Sequence, residues 1–414
     1  MKIFSTVLLL ITVLCLNAQI PQFRGPLRDG HYPDTGLLKQ WPENGPELVL
    51  EIKGIGKGWS SAVVSDGKIY ITGMIDNTDY LSCIDMQGKI VWKTPIGNSW
   101  NQSFPDSRST PTIRDGKAYV SSGLGTVTCI NINDGSVVWT VDAFSKYQGT
   151  AGNWGIAESI LLIDDKAIFT TGGNLTTIVA LDANTGNEIW KSPSLKDNIA
   201  YVSPILIEQN GKRQIIGVGA TYIYGANPET GEIVWTFDFL NADPSEWDNA
   251  GGVINCTSPL FKDGILFVTG GYNHTSVEFK LKDDLSGADF LWKDELLDNH
   301  HGGVVLVGDY VYGSNWVNNG KGDWCCINFR TGENKYQTTF KNKGSIIEAD
   351  GMLYIYTEQP GFVGLVKPNP EKFELVSSFQ ITKGNGPHWA HPSIYDGKLY
   401  IRHGEVIMVY NIKE

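Results

Sequence analysis

Along most of the chain, apolar and polar residues alternate over short runs, the period of a half-buried β-strand rather than of a helix. The runs are separated by pairs suited to chain reversal: Asp66-Gly67, Asp115-Gly116, Asp164-Asp165, Asn210-Gly211, Asp263-Gly264, Gly308-Asp309, Asp350-Gly351 and Asp396-Gly397. Asx-Gly between two apolar runs is a strong hairpin signal, because the tight turn needs positive φ at both central residues. Eight such pairs predict eight hairpins.

A second hairpin follows nearly every one. The stretch 83–92 returns at 129–139, 182–190 and 227–235, with a weaker copy at 328–336 and a distorted one ending at Gly287 and Trp292. The clear copies have an Asp or Asn that opens a turn, a Gly that closes it, then one or two β-branched residues and a Trp. The Asx side chain bonds backbone N–H groups two residues on, and the Gly takes the positive φ. Two hairpins per unit give a four-stranded antiparallel sheet, and eight units predict an all-β, eight-bladed propeller. Trp92, Trp139, Trp190 and Trp235 are expected to be structural, packed between neighbouring blades. The last unit supplies only three strands before the chain stops. The stretch 47–52 matches the missing fourth, with Leu50 in the aromatic's place. Borrowing it closes the ring without a free edge. The propeller is therefore placed at 47–414, with a Pro- and Gly-rich irregular lead-in at 19–46.

Composition fits that picture and narrows the partners. The 414 residues are 41% hydrophobic and 19% charged, with 47 Gly and 13 Trp, as short strands and tight turns require. The net charge of −12 opposes a phosphate backbone, so nucleic acid is not an expected partner. Lys2 followed by the apolar run 7–16 reads as a signal peptide cleaved after Ala18, and the run is too short to span a bilayer. Leu14 is not the small residue that a lipoprotein site would need before Cys15. The chain is thus expected to be exported, periplasmic or secreted, and not membrane-spanning. Cys83, Cys129, Cys256, Cys325 and Cys326 remain, an odd number that rules out a complete disulfide framework.

The pattern Asp/Asn-x-x-Thr-Gly-x-x-x-Trp at 182–190 and 227–235 resembles the tryptophan-docking repeat of pyrroloquinoline-quinone (PQQ)-type propellers. The segments 21–26, 154–159 and 300–303 are similar to exported members of that superfamily, often labelled polyvinyl-alcohol-dehydrogenase-like. The superfamily includes quinone-dependent alcohol dehydrogenases. It also includes non-catalytic members such as the propeller lipoprotein of outer-membrane assembly. The resemblance therefore specifies fold and leaves activity open.

In a propeller, the segment ahead of each innermost strand lines one mouth of the central channel. Those segments carry Trp59, Arg108, Trp154, Glu158, Asn255, His300, His301, His388, Trp389 and His391, to which Trp316 is added as a candidate for stacking. Aromatic and polar groups that converge on one mouth suggest a ligand site. The plainer reading is that Ser, Thr and His here bond backbone where strands splay. Alternation along a strand would let at most one of His300 and His301 face the channel. The resemblance implies Ca²⁺ held by a Glu and an Asn, an Asp base and a Trp stacked on PQQ. Glu158, Asn255 and Asp298 are the nearest candidates, with Trp154, Trp316 or Trp389 stacking. It also raises a vicinal disulfide at Cys325-Cys326. Cys326, however, aligns with the buried repeat positions Cys83 and Cys129, which favours two free thiols on opposite faces. The repeats are clearer than the catalytic set. The reading is a non-catalytic scaffold of the cell envelope that binds a small molecule, a glycan or an envelope protein. A PQQ- and Ca²⁺-dependent oxidoreductase acting on an alcohol or sugar is the alternative.

Overall fold

All eight reversal pairs are two-residue turns between paired strands. The first residue of each has φ between +49° and +63°, and six continue into a Gly that is also positive, as at Asp66-Gly67 and Asp350-Gly351. This structure, a computed structural model, describes residues 20–242 and 254–414. The expected signal peptide at 1–18, with Cys15, lies outside the described residues.

The hairpins are the inner halves of eight antiparallel sheets of four strands, one of which gains a short fifth strand. In chain order the blades span 63–98, 112–142, 161–191, 205–238, 260–294, 304–338 and 344–380, then 393–411 together with 47–52. The fold is the eight-bladed propeller that the repeats predict. Among the described residues no helix is long and apolar enough to cross a bilayer.

The repeat aromatics hold the blades together. The Trp139 indole packs on Gly186 and its Nε1 donates to the Ala183 carbonyl at 3.0 Å, both in the turn of the next blade. Trp92 meets Gly135 and Ile132, and Trp190 meets Gly231 and Pro228, in the same way. The turn Gly therefore does a second job: without a Cβ it lets an indole lie flat on the backbone. Trp235 reaches the following blade through Gln214, which accepts from its Nε1 at 2.8 Å and donates to the Leu285 carbonyl at 2.9 Å. Each indole buries on the order of 200 Å², which at about 25 cal/mol/Å² contributes several kcal/mol per joint.

Closure follows the same rule. Strand Glu47–Ile52 pairs with Val406–Asn411, and Leu50 lies opposite Val409 as Trp92 lies opposite Cys83. Leu50 then packs on Gly88, the turn glycine of the first blade. From the other side Arg402 of the last blade donates to Ser60 Oγ and to the Thr72 carbonyl, each at 2.7 Å. Cys326 and Cys325 enter different interblade clusters, so the two thiols do face opposite ways.

The first part of the lead-in, residues 20–32, enters the channel, and the rest packs through Leu37 and Trp41 on the last two blades. Strand His31–Tyr32 runs parallel to Gly344–Ala349, the innermost strand of the seventh blade. Arg28, 2% exposed, donates to the carbonyls of Ser159, Ile160 and Pro204. Arg24, 3% exposed, donates to the carbonyls of Val304 and Ile346 and to His391 Nδ1. Burial lowers both guanidinium pKa values only to about 10, so both stay charged and are solvated by carbonyls. One segment thus ties the inner strands of opposite sides of the ring.

Candidate functional site

In each blade the chain runs up, down, up and down, so two sets of loops open on the same face. They are the leads into the innermost strands and the links between second and third strands. There they enclose a cavity of about 670 Å³. Its wall takes Trp59, Phe104, Trp154, Tyr201 and Trp389 from the first set and Tyr272, Trp316 and Glu358 from the second, while Phe23 of the channel segment also lines it.

The rings brace one another. Trp59 and Trp389 meet edge to face at 4.7 Å between centroids, and Phe104 stands 5.4 Å from Trp389. Tyr272 lies 5.1 Å from Trp316. The Arg108 guanidinium sits 4.5 Å above the Trp59 ring and donates to the carbonyls of Phe104 and Asp106. No carboxylate forms a salt bridge with it among the described residues, and Asp106 and Asp79 act on it only at longer range.

Eight of the residues expected at the mouth line this cavity: Trp59, Arg108, Trp154, His300, His301, Trp316, Trp389 and His391. Three do not. Glu158 is 3% exposed and its carboxylate accepts from the Thr170 amide at 3.1 Å. Asn255 is fully buried and donates to the Gly219 carbonyl at 2.9 Å, with Oδ1 unbonded against Gly270. His388 lies behind the wall, its Nδ1 hydrogen-bonded with the Tyr356 hydroxyl at 2.5 Å and its ring stacked on His403 at 3.7 Å. Glu158 and Asn255 bond backbone at the strand ends, and His388 bonds Tyr356.

His300 and His301 both face the cavity, against the expectation that only one would. The reason is local: 300–303 form a bend ahead of the strand that starts at Val304, so strand alternation does not apply. Gly302 runs against the Gly344 carbonyl, and Gly303, at φ +74°, against the Arg24 guanidinium, where any Cβ would collide. His391 donates from Nε2 to the His301 carbonyl at 2.7 Å while its Nδ1 accepts from Arg24. The channel segment thereby fixes the loop.

Glu358 was not anticipated. It is 5% exposed, with Oε1 3.4 Å from His301 Nε2 and 3.8 Å from His300 Nδ1, and Oε2 3.4 Å from Lys343 Nζ. Burial alone would raise its pKa, but the imidazoles, where they are protonated, and the Lys343 ammonium hold it below the usual carboxylate range. Burial pushes His301 down to about 3 and lowers His300 as well, so near neutrality both rings are uncharged. The Glu358 carboxylate is then balanced by Lys343. Attention to the leads alone missed it; counting strand directions would have pointed to the second-to-third-strand links, and to Glu358-Gln359-Pro360-Gly361 among them.

The PQQ and Ca²⁺ set can be tested against this geometry. Ca²⁺ needs several ionised or carbonyl oxygens converging on one point. Glu158, pushed up to about 8 by burial, carries a proton at neutral pH. Asp298 accepts from the amides of Asn273 and Trp316 at 2.8 and 3.0 Å, and burial raises its pKa to about 7. None of Glu158, Asn255 and Asp298 lines the cavity. The aromatic slot would admit a flat ring, but these oxygens do not form the metal cage beneath it.

A family model described as outer membrane protein assembly factor BamB matches residues 39–200 and 77–338. BamB of Legionella pneumophila is 26% identical over 194 residues, covering 46% of this chain and 44% of that protein. Quinohemoprotein alcohol dehydrogenase of Comamonas testosteroni is 25% identical over 165 residues, 36% of this chain and 23% of that one. The matches span less than half the length of these curated relatives. Among solved structures, BamB from Moraxella catarrhalis superposes with a TM-score of 0.63 at 18% identity, over 88% of this chain and 99% of that one. The Comamonas testosteroni dehydrogenase gives 0.70 at 12% identity, over 95% and 80%. At such identities the superpositions establish the fold alone.

Proposed function

The chain belongs to the family of PQQ-like repeat propellers whose model is described as BamB, and from that membership we propose that it is a non-catalytic binding propeller of the cell envelope. Its ligand seat is the aromatic cavity, and its ligand is a small ringed molecule of the sugar type. One observation carries this reading: loops from seven blades and the channel segment each aim an aromatic ring into the same space. Indole and phenol faces stack on the C–H faces of a ring, and the few polar groups among them set its orientation. Arg108 favours a ligand with a carboxylate, such as a uronic acid.

Export fits the leader-like first residues, and an envelope location fits the relatives described as outer membrane protein assembly factors. Those relatives also support a second reading, in which the same mouth or the rim docks an envelope protein. Oxidation of an alcohol through PQQ is the weakest of the three, since Glu158, Asn255 and Asp298 are turned to backbone.

Tryptophan fluorescence of the purified protein, titrated with neutral and uronic oligosaccharides, tests the first reading. Saturable quenching by a member of the panel is expected. It should be abolished in Trp389→Ala, which should lower the melting temperature less than Trp190→Ala does. Among the described residues Trp389 joins none of the buried clusters between blades and packs only on mouth rings such as Trp59 and Phe104. Equal binding by Trp389→Ala would place the ligand elsewhere.

A further inference from the structure

We propose that His300, His301 and Glu358 form a binding site for a divalent transition-metal ion of the zinc class, set in the wall of the cavity. The donors are already gathered. His300 Nδ1, His301 Nε2 and a Glu358 carboxylate oxygen all lie within 4.8 Å of one another. A tetrahedral ion with bonds of about 2.0–2.2 Å holds its ligands about 3.4 Å apart. The separations here, 3.4 Å and 3.8 Å from Oε1, match that edge to within a few tenths of an ångström.

Both nitrogens are buried and neither makes a hydrogen bond of normal length and direction, the nearest polar atom being Glu358 Oε1 at 3.8 and 3.4 Å. A buried imidazole nitrogen is ordinarily satisfied, so two unsatisfied ones aimed at one carboxylate call for a common partner. The surroundings are arranged to present them. The Tyr272 hydroxyl engages His300 Nε2 at 2.8 Å, which leaves Nδ1 as the free donor. That is the outer partner which a metal-bound imidazole requires. His391 holds the peptide of His301. Lys343, 1% exposed at its side chain and tied to the carbonyls of Asn318 and Asn319 at 2.9 Å, engages Oε2. It orients Glu358 through Oε2 and leaves Oε1 to the imidazoles.

Two imidazoles and one carboxylate suit Zn²⁺, Co²⁺, Ni²⁺ or Cu²⁺ and are a poor set for Ca²⁺ or Mg²⁺, which take oxygen. Three protein ligands leave a coordination position open. All three residues line the cavity, so that position faces whatever the cavity holds, and an oxygen of a bound ligand would fill it. The ion site itself rests on these donors alone and needs no organic ligand.

The test uses tag-free protein, stripped with a chelator and titrated calorimetrically with ZnCl₂ alone. CoCl₂ is followed in parallel by its visible absorption. One equivalent of Zn²⁺ should bind at micromolar affinity or tighter, and Co²⁺ should give the intense bands of a four- or five-coordinate nitrogen–oxygen site. Glu358→Gln and His301→Ala should each weaken binding more than about tenfold, and His388→Ala, outside the cluster, should leave it unchanged. Melting curves confirm that each variant is folded. If His301→Ala does not fold, Glu358→Gln and the Co²⁺ spectrum of the parent protein still decide. Zn²⁺ binding no tighter than millimolar, or binding untouched by Glu358→Gln, would overturn the proposal.

Discussion

At the scale of single residues, two kinds of buried group carry the energetics, and each predicts a measurable effect. The first is the indole on its glycine. Trp190 is 8% exposed, bonds the Pro228 carbonyl at 3.1 Å and covers Gly231, whose φ is +75°. Trp190→Ala should destabilise the protein by about 3–5 kcal/mol. Gly231→Ala should also destabilise it, through a strained φ and a Cβ driven into the indole. In the double variant the collision is gone, so the two losses should sum to more than the measured loss. Strict additivity in chemical denaturation would mean that the ring does not rest on that turn. The second kind is the buried acid. Burial pushes Glu158 up from its ordinary 4.5 to about 8. Between those values the folded chain keeps a proton that the unfolded chain has released. Its contribution to stability is therefore full below pH 4.5 and is lost as the pH rises through 8. Glu158→Gln, which cannot titrate, should lack that decline. Melting temperatures of the two proteins from pH 4.5 to 9 should converge on the acid side and separate towards the alkaline side, with the variant higher. Parallel curves would mean that Glu158 is ionised throughout.

At the scale of elements, local signals and long-range ones fared differently. The turn pairs, the repeat aromatics and the closing strand were all legible, because each is written in adjacent residues: Asx before Gly, Trp a few places after, Leu50 where a Trp would be. The path of residues 20–32 was not. Nothing in their own pattern says that Arg24 and Arg28 enter the channel, since their partners are backbone carbonyls more than a hundred residues away. Carbonyls carry no sequence signature. The same blindness hid the convergence of Glu358 on His300 and His301, while it let Glu158 and Asn255 pass as ligands on residue type alone. The channel segment makes a testable claim. Arg28→Ala leaves the Ser159 and Pro204 carbonyls without their donor, while Ile160 keeps the Thr112 hydroxyl, and a buried group so orphaned costs about 1–3 kcal/mol. The melting temperature should fall, and amide exchange should quicken in the inner strands Leu161–Ile163 and Ile205–Gln209. Arg28→Lys should recover only part of the loss, because an ammonium lacks the planar fork that reaches several carbonyls at once. Unaltered exchange in those strands would separate the segment from the stability of the ring.

At the scale of the whole molecule, the question is what a propeller shared by scaffolds and dehydrogenases is equipped to do. The ring supplies eight converging loops in either case, so the distinction lies in what is placed beneath the slot. A PQQ site with Ca²⁺ would need a cage of oxygen donors open to the cofactor. Here two of the candidate carboxylates are committed, Glu158 to Thr170 and Asp298 to Asn273 and Trp316, while Asn255 is held by its Nδ2 to the Gly219 carbonyl with Oδ1 buried and away from the cavity. The mouth does hold aromatic planes and the Arg108 cation, which can attract a flat polycarboxylate on their own. Affinity for PQQ is therefore a poor discriminator, whereas its dependence on Ca²⁺ is a good one. Calorimetry with PQQ in the presence of Ca²⁺ and again in excess calcium chelator should give the same affinity within error. Neither Glu158→Gln nor Asn255→Ala should change it, and dye-coupled oxidation of simple alcohols should stay at background. Calcium-dependent binding that disappears in Asn255→Ala would mean that the buried Oδ1 of Asn255, unbonded at present, is a metal ligand, and that the strand ends rearrange around the ion. The scaffold reading would then give way to a quinoprotein.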